Sequence, residues 1–173
     1  LAHRAGEIIA MRRPAWGMKV DRNIPLTPQQ SKLGGVPSAP AYFQWPRING
    51  LPCRFVAQIN LAELPPHPDP TLHASLPAAG LLLFFTNYEM VDELSAPEHA
   101  GAFVHHLPPD LELSPAHPPA DGEILWPLQE AALTITPQWS IPSTCYDNPE
   151  FLDWDENDLK ALDDWDLDSD SGG

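Results

Sequence analysis

The sequence predicts an α+β protein: a strand-dominated mixed or antiparallel sheet with a short N-terminal helix and an acidic C-terminal helix. Three observations carry this. Of 173 residues, 22 are proline, and a proline inside a helix removes a backbone donor at a cost of about 3 kcal/mol, which argues against a helix bundle. Short apolar stretches alternate with period two between Pro- and Gly-rich connections, the pattern of strands. Only the two end segments switch to the roughly 3.6-residue spacing of an amphipathic helix.

Taken in order, residues 1–13 place Ala5, Ile8, Ile9 and Arg12 at helical spacing and stop at Pro14, with basic residues at the end where the helix dipole is negative. Ala15–Val20 alternates Trp16, Met18 and Val20 with Ala15, Gly17 and Lys19, a half-buried strand. The next thirty or so residues, dense in Pro and Gly, can hold no long element; they enclose Ser31-Lys32-Leu33-Gly34-Gly35. Arg54–Leu61 is read as a strand with Phe55, Ala57 and Ile59 on one face, followed by a turn at Leu61–Leu64 and a loop. Gly80–Tyr88 is apolar at successive positions, which predicts a central strand covered on both faces. Ala102–Leu107 places Phe103, His105 and Leu107 on one face, and Pro108-Pro109 ends it. Leu133–Thr136 is a short strand, with Leu133 and Ile135 inward, closed by Pro137. From Asn148, a capping residue followed by Pro149, the arc of Phe151, Trp154, Leu159, Leu162 and Trp165 predicts a helix.

The net charge of −15, from 24 acidic and 9 basic side chains, excludes phosphate neutralisation and hence nucleic acid as a partner. Residues 146–173 hold 11 acidic groups against Lys160 alone, a net of −10, so the acidity is local. The longest apolar run, Leu76–Phe85, is broken by Pro77 and Gly80 and is about half of what a membrane span needs, so no membrane is expected. Cys53 and Cys145 make no disulfide framework, and the charged N-terminal residues carry no secretory pattern; a cytoplasmic location is expected. With Leu1 first and a patterned tail running to Gly173, residues 1–173 read as a single domain incomplete at its C-terminus, expected to be marginal or aggregation-prone alone.

No motif of the common hydrolases or dehydrogenases is present, and no cofactor is implied. Asp166, Asp168 and Asp170 occupy alternate positions as in a calcium loop, but Ser171 stands where glycine is needed and no acidic twelfth residue follows. His105 and His106, adjacent on a strand, face opposite ways and cannot chelate one ion. His99 and His117 lack metal-ligand spacing, so no metal is expected. The two thiols read as small buried side chains. Lys32 with Gly34 and Gly35 reverses the order of a phosphate loop, so the glycines are expected to supply positive φ in a turn.

The segments Ser31-Lys32-Leu33-Gly34-Gly35-Val36-Pro37, Phe43-Gln44-Trp45-Pro46, Phe55-Val56-Ala57-Gln58-Ile59-Asn60-Leu61 and Leu76–Phe85, in this order, resemble the YwqG-like family of bacterial proteins. Trp139-Ser140-Ile141-Pro142-Ser143 and Leu167-Asp168-Ser169-Asp170 extend the resemblance; the family's Gly-Tyr-Pro-like and Trp-Gly-Asp-containing segments are not found. The resemblance implies a cytoplasmic α+β protein with no established enzymatic activity. Some members resemble, in genomic setting, immunity proteins that neutralise polymorphic toxins.

Two functions are therefore expected to compete. In one, a protein-binding module presents Asp155, Glu156, Asp163, Asp164, Asp166, Asp168 and Asp170 to a basic partner such as a toxin. In the other, a small-ligand binder or enzyme of undescribed type uses Trp45, Gln58, Asn60 and His105, beside the aromatic rings of Phe55 and Phe85.

Overall fold

The computed structural model describes residues 2–48, 50–86, 101–120, 128–141 and 153–162. The chain divides into two compact units, Leu1–Ala15 with Pro137–Gly173, and Trp16–Thr136.

A 3₁₀ turn, Ala2–Arg4, leads into α1 (Ala5–Met11), and β1 (Arg13–Asp21) follows Arg12 directly. Met18 and Val20, expected on a half-buried face, are exposed; Trp16 is half-buried. The Pro- and Gly-rich stretch holds only two-residue strands, β2 (Lys32–Leu33), β3 (Ser38–Ala39), β4 (Arg47–Ile48) and β5 (Leu51–Pro52), as its composition requires. Next come β6 (Arg54–Asn60), a 3₁₀ turn at Leu61–Glu63, α2 (Pro70–Ala74) and β7 (Leu81–Thr86). The helical turn α2 lies in the expected loop: Asp69 Oδ1 accepts from Thr71 N at 2.9 Å and Pro70 takes the first position, but five residues are too few to show a period. After β7 come β8 (Ala102–Leu107), β9 (Ser114–Pro115) and β10 (Ala131–Ser140). A final helix, α3, covers residues 156–162.

The main sheet has the order β1-β10-β2-β6-β7-β8, and β10-β2, β2-β6, β6-β7 and β7-β8 are antiparallel. Two small antiparallel pairs, β3-β9 and β4-β5, complete the strands among the described residues. The protein is α+β.

Four further expectations need correction. Along β6, a bulge at Val56 shifts the register: Phe55 pairs with Phe85, but Ala57 pairs with Phe84 and Gln58 with Leu83. Paired residues share a face, so Phe55, Gln58 and Asn60 lie on one face and Ala57 and Ile59 on the other, where plain alternation had put Phe55, Ala57 and Ile59 together. On β7, Leu81, Leu83 and Phe85 are buried while Leu82, Phe84 and Thr86 are half-buried, so its second face is only partly covered, although the strand is interior to the sheet.

Strand β10 runs through Pro137 rather than stopping there. Leu133 N donates to Ser31 O, and the recorded pairing with β2 is at Ala131 and Ala132, so Pro137 lies past the paired stretch, where strand alternation lets a residue without an N–H stand. Finally, 153–155 are not helical, and Asp155 caps α3: its Oδ1 accepts from Asn157 N at 2.9 Å and Asp158 N at 2.8 Å. Trp154 before the cap and Leu159 in the helix then act as a hydrophobic staple. The expected cap Asn148 and Pro149 lie outside the described residues.

The core of the Trp16–Thr136 unit gathers Ala39, Cys53, Phe55, Leu81, Leu83, Phe85 and Leu107, with Phe43, Trp45, Ile48 and Phe103 packed against it. Gly80 opens β7 with φ of +111°, and a Cβ there would overlap the carbonyl oxygen of Leu107 and come within 2.8 Å of His106 Nε2. Only glycine fits.

Candidate functional site

The bulge brings three of the four expected ligand-binding residues, Gln58, Asn60 and His105, onto one face of the sheet, and Trp45 packs against that face. Phe85 is the centre of this face. Trp45 meets it edge-on at 5.2 Å between centroids, Phe55 lies at 5.4 Å, Phe43 stacks at 5.9 Å, and His105 presents its ring edge-on at 5.9 Å. Trp45 Nε1 donates to Cys53 O at 2.7 Å, so its polar end is held within the chain.

Gln58 is fully buried. Its Oε1 accepts from Ser38 N, and its Nε2 donates to Pro28 O and Gln30 O, each at 2.9 Å. Asn60 donates from Nδ2 to Gln29 O at 3.1 Å and accepts from Ala62 N at 3.0 Å, capping the 3₁₀ turn. Both amides hold residues 28–30 against β6.

Beside them, the Ser31–Gly35 motif forms a polar crossing point. Ser31, fully buried, donates its N–H to Glu63 Oε2 at 2.9 Å and accepts at Oγ from Asn60 N at 2.8 Å. Lys32 is buried; its Nζ donates to Val36 O at 2.6 Å and pairs with Glu130 Oε1 at 2.7 Å. Gly34 has φ of +61° and donates its N–H to the carbonyl of the bulged Val56 at 2.8 Å; a Cβ would overlap the carbonyls of Leu128 and Gln129. The glycine pair thus supplies positive φ, as the sequence predicts, and Lys32 is engaged by the chain itself. No spacing in the sequence links Lys32 to Glu130.

The remaining chemistry-bearing side chains are dispersed. His106 is exposed and its Nε2 donates to Ala79 O at 2.9 Å, on the face opposite His105. Burial pushes the Cys53 thiol up, which disfavours the thiolate a nucleophile needs. Among the described residues no group of three or more His, Cys, Asp or Glu is placed to hold a metal ion, and no helix is long and apolar enough to cross a membrane. Cys145 and His99 lie outside the described residues.

In the other unit, α3 carries the acidic residues. Asp155 and Glu156 are exposed; Asp163, Asp164, Asp166, Asp168 and Asp170 lie outside the described residues. Asp158 behaves differently from its neighbours. It is buried, and receives Arg4 Nε at 3.1 Å on Oδ2 and His3 Nε2 at 3.4 Å on Oδ1. Burial opposes its charged form, but the hydrogen bond from Arg4 and the charges of His3 and Arg4 outweigh this and hold the carboxyl below its ordinary value. Arg4 also donates from Nη2 to Asp153 O at 2.9 Å and from Nη1 to both Glu7 oxygens at 3.1 Å, while its guanidinium lies 5.2 Å from the centre of the Trp154 ring. Trp154 Nε1 closes the group on Glu7 Oε2 at 3.0 Å. The sequence reading missed this arginine seat; its one available signal was a basic N-terminal segment in a chain whose opposite end is acidic.

Fold and site together define an antiparallel-sheet α+β protein whose buried polar residues brace its loops and whose acidic charge is concentrated, in sequence, within residues 146–173. Residues 31–168 match the model of the family described as Domain of unknown function (DUF1963), and the chain belongs to that family. The match begins at Ser31, the first residue of the polar crossing point. No curated protein matches the chain.

Proposed function

We propose that this chain is a protein-binding module whose C-terminal acidic segment meets a basic partner. The supporting observation is the concentration of charge, −10 of the total −15 within residues 146–173, with Asp153, Asp155 and Glu156 exposed among the described residues there. Such a patch raises the association rate and selects partners by sign. The resemblance to the YwqG-like bacterial family carries the reading further, to a cytoplasmic immunity protein with a toxin as its partner. A small ligand or substrate at Trp45, Gln58, Asn60 and His105 is the weaker reading, since both amides are engaged by residues 28–30 and 38 and the indole N–H by Cys53.

Capture from a native lysate followed by salt elution tests the proposal. A basic protein that binds at low ionic strength and is released as salt rises supports it. Capture of nothing, or only of partners indifferent to salt, overturns it.

A further inference from the structure

The seat that holds Arg4 is complete for an arginine: an aromatic face (Trp154), a buried carboxylate (Asp158), a main-chain carbonyl (Asp153) and a second carboxylate (Glu7). Every group but Glu7 comes from residues 153–158. The planar guanidinium fork matches such a seat as an ammonium cannot. Arg4 belongs to a segment of opposite sign: residues 1–13 carry Arg4, Arg12 and Arg13 against Glu7, a net of +2, whereas 146–173 carry −10.

The two sides of this contact differ in depth. Trp154 and Leu162 are buried, but no residue of α1 is; Ile8 and Met11 are only partly covered where they pack, with Ile141 and Leu159, against the cluster of Trp154 and Leu162, and Ile9 is 59% exposed. At seven residues and with no side-chain cap, α1 is too short to be stable as an isolated helix, so it persists through its contacts. Shallow burial and a short helix put it at the readily opened end of the stability range. Lifting it uncovers Trp154 and the apolar side of α3, and takes both His3 and Arg4 away from Asp158.

We infer that residues 2–11 are a displaceable strap, occupying in cis the seat where a basic partner places an arginine on an amphipathic helix. The inference rests on the proposed reading of the acidic segment as a partner site, and adds which side chain the partner supplies and what holds the site closed.

The test uses the full chain and, as probe, a fluorescent peptide of residues 2–13. An Arg4→Ala/Ile8→Ala chain, its fold checked by circular dichroism, is expected to bind the peptide on the order of tenfold more tightly than the unsubstituted chain, because the tethered competitor is weakened. Adding Asp158→Asn should abolish the gain. Equal binding by both chains, or none by a folded double variant, overturns the inference. If the double variant does not fold, amide exchange in the unsubstituted chain decides: 5–11 should exchange far faster than β6 and β7, and equally slow exchange refutes a displaceable strap. The two readings separate, because peptide binding without capture of any basic protein retains the strap and removes the proposed function. Capture that the peptide cannot compete away, even from the double variant, removes the strap alone.

Discussion

Replacing Gln58 by leucine keeps most of the side-chain volume and removes three hydrogen bonds from a fully buried position. Ser38 N–H, in a residue only 3% exposed, and the Gln30 carbonyl lose their partners; Pro28 O keeps the Ser38 hydroxyl. At about 1–3 kcal/mol for each orphaned group, the loss comes to roughly 2–5 kcal/mol once the gain from an apolar side chain is subtracted. That is a large part of the ~5–15 kcal/mol typical of a domain. Urea titration should show the midpoint falling with an unchanged slope, and thermal melting a drop of about 5–15 °C. Gln58→Glu, which retains an acceptor for Ser38 but sets an oxygen against two carbonyls, should be at least as damaging. A change under about 0.5 kcal/mol, as at an ordinary surface position, would refute the burial of Gln58 and its three hydrogen bonds.

Gly80→Ala should lower stability by more than about 2 kcal/mol, read as a fall in melting temperature, since it combines positive φ with overlap of Leu107 O. Glu130→Ala should cost about 1–3 kcal/mol in urea titration because it strands the buried Lys32 ammonium, the lower part of that range being favoured by the partial exposure of Glu130. Asp158 and Asp69 both have folded pKa values below the ordinary carboxylate value, Asp69 chiefly through the hydrogen bond from the Thr71 side chain. Groups shifted this way add stability above the unfolded pKa of about 3.9 and lose it as pH falls through the folded value. Protection of the α1 amides, taken as exchange relative to the unfolded-chain rate at the same pH, should therefore fall below about pH 4, and Arg4→Gln, which removes the largest of the groups lowering the Asp158 value, should lessen that pH dependence.

The α+β class, the positions of β6, β7 and β8, the absence of long elements between β1 and β6, and the two end helices are determined by local pattern: proline's missing donor, period-two alternation, and helical spacing. These act within a few residues of each position, so the sequence displays them directly. The faces of β6 are different. One extra residue at Val56 reverses the orientation of everything after it, and its carbonyl is taken by Gly34, 22 positions away. Alternation alone cannot reveal such an insertion. Likewise, Pro137 looks like a strand end although β10 continues through it past the residues that pair with β2, and the helix starts at the Asp155 cap beside the buried Trp154 rather than at Asn148. Candidate residues follow the same division. Aromatic and amide side chains at Trp45, Gln58, Asn60 and His105 are visible as types, but which of their polar groups the chain itself uses depends on partners between 2 and 31 positions away. The pairing of Arg4 with Asp158 spans 154 positions, and Lys32 with Glu130 spans 98; only folding brings such charges within hydrogen-bond range, where burial strengthens their attraction and makes their separation costly.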